Sequence, residues 1–320
     1  MLGHAQAQFS LGNLHRFRGN YDLARAYAWL TISSLSGGRE AKKIRLSVLG
    51  DLRVYAIEDA LWLLGTGRDL LFMGDRVIDK WLAEAEDNPV ASLNLGFCSY
   101  FGRGIEKSHE EAVQWWHLSA EKENHDAAYM LGMAYSTIVS DEILPMFRND
   151  LAANRGDAFE DSKEAVKWWK VAAEHCHERA CVKLAECYHL GDGVDKDFGE
   201  AMRLWTQAAS KGNSEALRVL GVLYFQGKFV EKNYGRAIEY LESSAQKGDV
   251  SAMTTLAVYY FKGDGEFNDV VKSYAWAKVL VDLDVSKGKD VFNVVEKKIK
   301  LGQIEAGGEL SQVYMNQLLG

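Results

Sequence analysis

Proline is almost absent from this chain of 320 residues, since only Pro89 and Pro145 occur. A β-sandwich or β-barrel of this length uses more proline in its turns, so the count favours helices. The 29 glycines are scattered along the chain rather than gathered in one stretch. Scattered glycines suit many short turns better than one flexible linker. The composition therefore predicts a helical protein with frequent, short connections.

Long apolar runs are also lacking. No stretch approaches the roughly 20 apolar residues that cross a membrane. The first six residues, Met1 to Gln6, contain no basic region followed by an apolar run, so they do not resemble a signal peptide. We therefore expect no membrane span and a cytoplasmic location for the sequence as it stands. A periplasmic location stays open if a leader precedes it.

Cysteines are too few for a disulfide scaffold; the four are Cys98, Cys176, Cys181 and Cys187. Cys176 and Cys181 flank a predicted turn, so a disulfide between them stays open beside ordinary packing. This stretch also contains His175, His177 and His189. A zinc site needs four ligands that converge tetrahedrally, and we expect packing within or on helices instead. The sequence predicts no metal and no cofactor.

The net charge of −8 is distributed unevenly. Residues 1–55 carry a net +5, residues 262–320 a net −1, and the residues between them a net −12. An acidic middle disfavours nucleic acid and anionic membrane as partners. It is compatible with a basic protein partner, and equally with a solvated surface that keeps the protein in solution.

A repeat runs through most of the chain. A leucine followed by glycine or alanine, with an alanine four residues before it, occurs at Leu11, Leu64, Leu95, Leu131, Leu184, Leu220 and Leu256. Three of the intervals between these anchor leucines are 36 residues long, and one of 53 equals a unit plus a 17-residue insertion. A tyrosine follows most anchors by four or five residues, and glycines follow at seven and nine. Such a fixed period indicates a repeat protein.

The spacing within a unit predicts two helices. Alanine at −4, leucine at 0 and tyrosine at +4 share one helix face, and the glycines then end that helix. Alanine at +17, an aromatic residue at +20 or +21 and a small residue at +25 form the face of a second helix. The small residue at +1 allows the two helices to approach closely. Each unit is thus an αα-hairpin that buries its apolar face by stacking on its neighbours.

These residues resemble the Sel-one-like repeat family, a largely bacterial branch of the tetratricopeptide superfamily. The best-matching stretches are Ala180–Gly212 and Ala216–Gly248, which read A-x3-L-(G/A)-x2-Y-x2-G, then E/R-A-x3-W/Y, then A-x2-G. The resemblance covers most of residues 1–289. It implies an all-α, right-handed α-α superhelix, a solenoid that acts as a binding scaffold and has no catalytic residues.

Three regions follow from the irregularities. Residues 1–58 hold a first repeat and an extra closing helix, Arg39–Leu49. Residues 59–289 form the main array of about six hairpins, interrupted by the insertion at 136–161, and residues 290–320 supply capping helices. Insertions in repeat arrays project from one face and often carry the binding function, although a tolerated surface loop is an equal alternative.

No motif indicates catalysis. The aspartates in Gly191–Asp197 lack the glycine and glutamate positions of a calcium loop, so they are expected to cap the next helix. The paired glycines follow no strand and precede no phosphate-binding lysine. The recurrent tryptophans occupy packing positions, and no nucleophile–base pattern is present. We therefore expect a protein that is not an enzyme.

Partner binding is predicted at two places. In hairpins of this kind, residues near −2, +2 and +5 of the anchor line an inner groove, although neighbouring hairpins can bury some of them. The candidates in the groove are Phe97, Tyr100, Tyr129, Met133, Glu186, His189, Arg218, Phe225 and Phe261. In the insertion they are Leu144, Met146, Phe147 and Arg148.

Two functions fit these features. The first is an adaptor, monomeric or weakly dimeric, that holds a partner protein in its groove and through the insertion. The alternative is an immunity protein that neutralises a secreted lipase or nuclease by direct binding, as some bacterial members of the resembling family do. In that case the acidic middle and the insertion would block a basic active site.

Overall fold

The computed structural model describes residues 28–32, 41, 43–44, 76–136, 161–263 and 267–319. Within these ranges the regular structure is helical, as the sequence predicts. The helices are α1 (Arg76–Glu84), α2 (Pro89–Phe101), α3 (His109–Ala120), α4 (His125–Tyr135), α5 (Ser162–Glu174), α6 (Glu178–Leu190), α7 (Phe198–Ser210), α8 (Ser214–Gln226), α9 (Tyr234–Gln246), α10 (Val250–Lys262), α11 (Val270–Asp282), α12 (Ser286–Glu296) and α13 (Leu301–Leu319).

The chain forms two compact units. One comprises residues 53–211, and the other combines residues 1–52 with 212–320. In the first unit, α1 packs on α2, and the hairpins are α2–α3, α4–α5 and α6–α7. In the second unit the hairpins are α8–α9 and α10–α11, and α12 and α13 both pack on α11. Each described hairpin joins two helices that are consecutive in the sequence.

Local sequence explains where the helices begin and end. Asparagine or aspartate precedes most of them, and its side chain accepts hydrogen bonds from the first turn. The predicted turn glycines Gly102, Gly191 and Gly227 close α2, α6 and α8 in the left-handed conformation. Asp197 caps α7, accepting a hydrogen bond of 3.0 Å from the amide of Glu200. Asp197, the last aspartate of the acidic turn, therefore caps the next helix, as the sequence indicates.

The core follows the repeat. The five described anchors, Leu95, Leu131, Leu184, Leu220 and Leu256, are all buried. The tryptophans of the second helices, Trp116, Trp169, Trp205 and Trp276, are buried as well, which confirms that they are packing residues. The small residue after each anchor is needed because the paired helix lies directly on it. At Gly221 an added Cβ would come within 2.6 Å of the Cγ of Leu241.

Several sequence predictions concern residues that lie wholly or partly outside the ranges that the structure describes. The insertion at 136–161 lies outside the described residues except for its two ends, Ser136 and Asp161. The extra helix Arg39–Leu49 is described at only three positions.

Near the C-terminus, Met315, Leu318 and Leu319 of α13 join the core cluster formed by α10 and α11. The three predicted region boundaries remain a prediction.

Candidate protein-binding surface

Two first helices of the unit 53–211, α2 and α4, are enclosed on all sides over most of their length. In α2, every residue from Ala91 to Tyr100 is buried, and in α4 the same holds from Ala127 to Met133. Four predicted groove residues therefore lie in the interior, with exposed fractions of 9% or less: Phe97, Tyr100, Tyr129 and Met133. They pack within the unit and leave a partner little area to contact.

On α6, the two groove candidates are held by neighbours. Glu186 forms an ion pair of 3.0 Å with Lys183, whose side chain is only 10% exposed. His189 is half-buried, and its ring lies 5.9 Å from that of Phe198 and 5.6 Å from that of Trp205. A partner would meet only the outer edges of these side chains.

The groove positions of α8 and α10 differ, because they are all partly exposed. We call these six residues the α8–α10 face: Arg218, Val222, Phe225, Thr254, Val258 and Phe261. The two helices bury only one side each, through Leu217, Leu220 and Leu223 in α8 and Met253, Leu256 and Tyr260 in α10. The α8–α10 face thus lies on the sides of the two helices that are only partly buried, and Phe261 also packs against the buried cluster of Tyr274, Val295 and Ile299.

A cluster of rings borders the α8–α10 face. Phe225 stacks on Tyr259, with ring centroids 3.5 Å apart and planes 14° apart. Tyr234 lies 5.0 Å from Phe225 and 5.2 Å from Phe267. All four residues are partly exposed. Aromatic rings held by one another in this way lose little conformational entropy on binding, so they suit partner recognition.

Two lysine side chains lie beside the aromatic rings of this surface. The ammonium group of Lys232 lies 4.5 Å from the ring centroid of Tyr234, and that of Lys298 lies 4.8 Å from that of Phe261. Both lysines are exposed. Cations placed over aromatic rings complement a partner segment that carries apolar side chains and acidic neighbours.

Arg218 connects the two helices of the α8–α10 face. Its Nε lies 3.5 Å from Oδ2 of Asp249, the residue that caps α10. Burial raises the pKa of Asp249, and the charge of Arg218 opposes that rise. The pair therefore holds the start of α10 against α8 while leaving part of the guanidinium exposed.

The sequence analysis missed three of the bordering aromatic residues, Tyr234, Tyr259 and Phe267. A signal was present for Tyr259, because it precedes Tyr260, the tyrosine that occupies the +4 core position of its repeat. Two adjacent aromatic residues on a helix cannot share one face, so one of them had to lie beside the core. The insertion candidates Leu144, Met146, Phe147 and Arg148 lie outside the described residues.

Thiols and histidines gather where α5 meets α6. Cys176 is an exposed free thiol, and Cys181 is a buried free thiol. Within the described part of the chain, no group of three or more histidine, cysteine, aspartate or glutamate side chains is arranged to hold a metal ion. None of the described helices is both long and apolar enough to cross a membrane.

The repeat has a counterpart among known protein families. The sequence model of the family described as Sel1 repeat matches residues 5–37, 89–124, 125–137, 149–175, 178–213, 214–249 and 250–280. The unit from 125 to 175 is matched in two pieces, consistent with a repeat that extra residues interrupt. A search of curated proteins found no match to this chain.

Several solved structures are similar to this chain. A Sel1 repeat protein from Oxalobacter formigenes is 28% identical, with a TM-score of 0.57 over 79% of this chain and 95% of that one. A protective antigen of uropathogenic Escherichia coli, c5321, which displays an SLR fold, is 17% identical, with a TM-score of 0.40 over 99% of this chain and 93% of that one. The immunity protein Pa5087 from Pseudomonas aeruginosa is 18% identical, with a TM-score of 0.42 over 67% of this chain and 76% of that one.

The family match and the Oxalobacter structure confirm the predicted fold class, an all-α solenoid of helical hairpins. Sel1 repeats act as protein–protein interaction scaffolds, and the family is in general non-catalytic. Since the matched segments cover well over half of its residues, this chain belongs to the Sel1 repeat family.

Proposed function

We propose that this protein is a non-catalytic adaptor that holds a segment of a partner protein against the α8–α10 face. The observation that carries the proposal is the difference between helices α2 and α4, whose groove positions are buried, and helices α8 and α10, whose groove positions are partly exposed. Equivalent positions are buried at Tyr100 and Tyr129 but partly exposed at Phe225 and Arg218. An apolar, ring-bordered helix surface that the core leaves open is what an interaction scaffold requires.

The chemistry of the face suggests what the partner offers. Apolar side chains would cover Val222, Val258 and the Phe225–Tyr259 stack, and acidic residues beside them would meet Lys232 and Lys298. The insertion at 136–161 is a second proposed contact, because inserted segments in repeat arrays often supply specificity.

Affinity capture with mass spectrometry tests this proposal when the chain is compared with three variants, Phe225→Ala, Lys232→Glu and Lys170→Glu. Lys232→Glu reverses a charge beside the α8–α10 face. Lys170→Glu is the matched control, because Lys170 is also exposed and lies 5.7 Å from the ring centroid of Tyr188. We expect Lys232→Glu and Phe225→Ala to lose the captured partner while the Lys170→Glu variant keeps it. Circular dichroism shows whether each variant is folded.

Equal capture by the folded Lys232→Glu and Phe225→Ala variants would mean that the α8–α10 face is not the binding site. Deletion of residues 142–157 separately tests the insertion. Loss of the partner on that deletion, with both face variants still binding, would assign the interaction to the insertion alone.

A second candidate is an immunity protein that inhibits a toxic secreted enzyme. It is favoured by the acidic character of the middle of the chain, where residues 56–261 carry a net −12 that would suit a basic active site. Co-expression with a toxin encoded beside this protein is the test. Cells that die despite abundant, folded protein would eliminate this candidate for that toxin.

A further inference from the structure

The residue that caps α6 differs from those that cap the other first helices. At the corresponding position, α2 and α4 begin after Asn88 and Asn124, and α8 and α10 begin after Asn213 and Asp249. Helix α6 begins after His177, whose ring takes the place of the amide or carboxylate oxygen. In the described repeats, histidine occupies this position only here.

The two ring nitrogens of His177 have opposite roles. Nδ1 accepts a hydrogen bond of 3.1 Å from the backbone amide of Ala180, which is the capping interaction. Nε2 lies 3.1 Å from Oδ1 of Asp126 on α4, an atom that can only accept. The geometry therefore requires a neutral ring with its proton on Nε2. A protonated imidazole has no acceptor, so it cannot cap α6.

Other charged and titratable groups surround His177. His125, the first residue of α4, stacks on His175 with ring centroids 3.8 Å apart. Tyr129 stacks on His177 at 4.8 Å, and the guanidinium of Arg179 lies 4.6 Å from the ring centroid of Tyr129. Further charged side chains on the adjoining turns and helices are those of Glu123, Glu174, Glu178 and Lys211.

The neutral form of His125 is favoured by its surroundings. Burial lowers the pKa of His125, and the charge of His175 lowers it further. A cation at the start of α4 or α6 is also opposed by the positive end of the helix dipole. Asp126 is the acidic group in direct contact with His177, and its side chain is 62% exposed, so water screens its attraction for a protonated ring.

We propose that this histidine cluster makes the joint between α4 and α6 sensitive to mild acid. When His177 takes a second proton, Nδ1 stops accepting from the amide of Ala180 and the first turn of α6 opens. The added charge lies beside His125, His175 and Arg179, which further loosens the contact between the two first helices.

The joint between α8 and α10 provides an internal comparison. Arg218 corresponds in the repeat to Tyr129, Asp249 corresponds to His177, and the two form an ion pair. Helix α8 is capped by Asn213, whose Oδ1 accepts a hydrogen bond of 2.9 Å from the amide of Ala216. An asparagine cap does not titrate, so the start of α8 gives a reference that acid does not change.

Hydrogen–deuterium exchange resolved to single amides tests the proposal at pH 7.5 and pH 5.5, with rates corrected for the intrinsic effect of pH. A helix cap contributes about 1 kcal/mol, so we expect the protection of the Ala180 amide to fall about fivefold in acid. The Ala216 amide should be unchanged. In a His177→Asn variant, which carries the cap used by α2, α4 and α8, the protection at Ala180 should no longer depend on pH.

Three outcomes would overturn the proposal. One is equal protection of the Ala180 amide at both pH values in the unaltered protein. Another is the same loss of protection in the His177→Asn variant, because that loss could not come from this imidazole. A fall at Ala216 as large as that at Ala180 would also count against it, since it would indicate general unfolding in acid.

Discussion

The indole ring of Trp116 lies directly against the α-carbon of Gly96, in the space that a side chain at position 96 would fill. In the next hairpin, Trp169 covers Gly132 in the same way. Both tryptophans are completely buried. Glycine inside a helix is unfavourable by about 1 kcal/mol relative to alanine, so these glycines are explained by the close approach of the paired helix.

Gly96→Ala should therefore destabilise the protein, because the new methyl group displaces the Trp116 ring. We expect a loss of about 1 to 3 kcal/mol in the free energy of unfolding, measured by urea denaturation. Gly308 in α13 is the matched control, since an added Cβ there meets nothing within 4 Å. Gly308→Ala should stabilise by about 0.5 to 1 kcal/mol. A stabilising Gly96→Ala would contradict the packing described.

Glu123→Gly should stabilise the protein. Glu123 has a φ of 59°, and the corresponding residues of later repeats are Gly212 and Gly248, with φ of 86° and 89°. Glycine adopts this left-handed conformation without steric strain, so we expect a gain of about 0.5 to 1 kcal/mol, again from urea denaturation. Glu121→Gly, two residues earlier at a φ of −58°, should destabilise. The same sign for both changes would show that left-handed strain is not the cause.

Arg218→Met should destabilise the protein more at pH 7 than at pH 4. Burial raises the pKa of Asp249, because the ionised carboxylate is less well solvated in the folded state. At pH values above that pKa the buried charge therefore lowers the free energy of unfolding, and Arg218 offsets part of this loss. At pH 7 the loss should be about 1 to 3 kcal/mol, and it should shrink as acid protonates Asp249. Arg203→Met, which removes an exposed pair with Glu200, should change stability by less than about 1 kcal/mol.

One thiol should react in the native protein. Cys176 is exposed, whereas Cys98, Cys181 and Cys187 are buried. Burial raises the pKa of Cys187 to about 12 and raises that of Cys181 as well, so neither readily forms the reactive thiolate. Brief treatment with N-ethylmaleimide followed by mass spectrometry should give one adduct, at Cys176, and four after denaturation. Protection of both Cys176 and Cys181 until a reductant is added would instead reveal a disulfide.

The sequence was a good guide to the hairpins and a poor guide to the exposed surface. The turn glycines, the caps such as Asp197 and the buried tryptophans follow from interactions within one repeat, where spacing along the chain determines which side chains meet. Phe97 and Phe225 were predicted by the same groove pattern. In the structure, Phe97 is buried, with 6% of its surface exposed, whereas Phe225 is partly exposed.

The amino-acid sequence is enough to predict the 36-residue period, the all-helical class and the turn glycines, because all of these depend on residues a few turns apart. Which groove positions remain open, and which rings border them, depends on the folded arrangement, since exposure is set by side chains that are far away in the sequence. The contact between His177 and Asp126 spans 51 residues. No spacing rule within one repeat could have predicted it, because the contact forms only where two successive first helices stack.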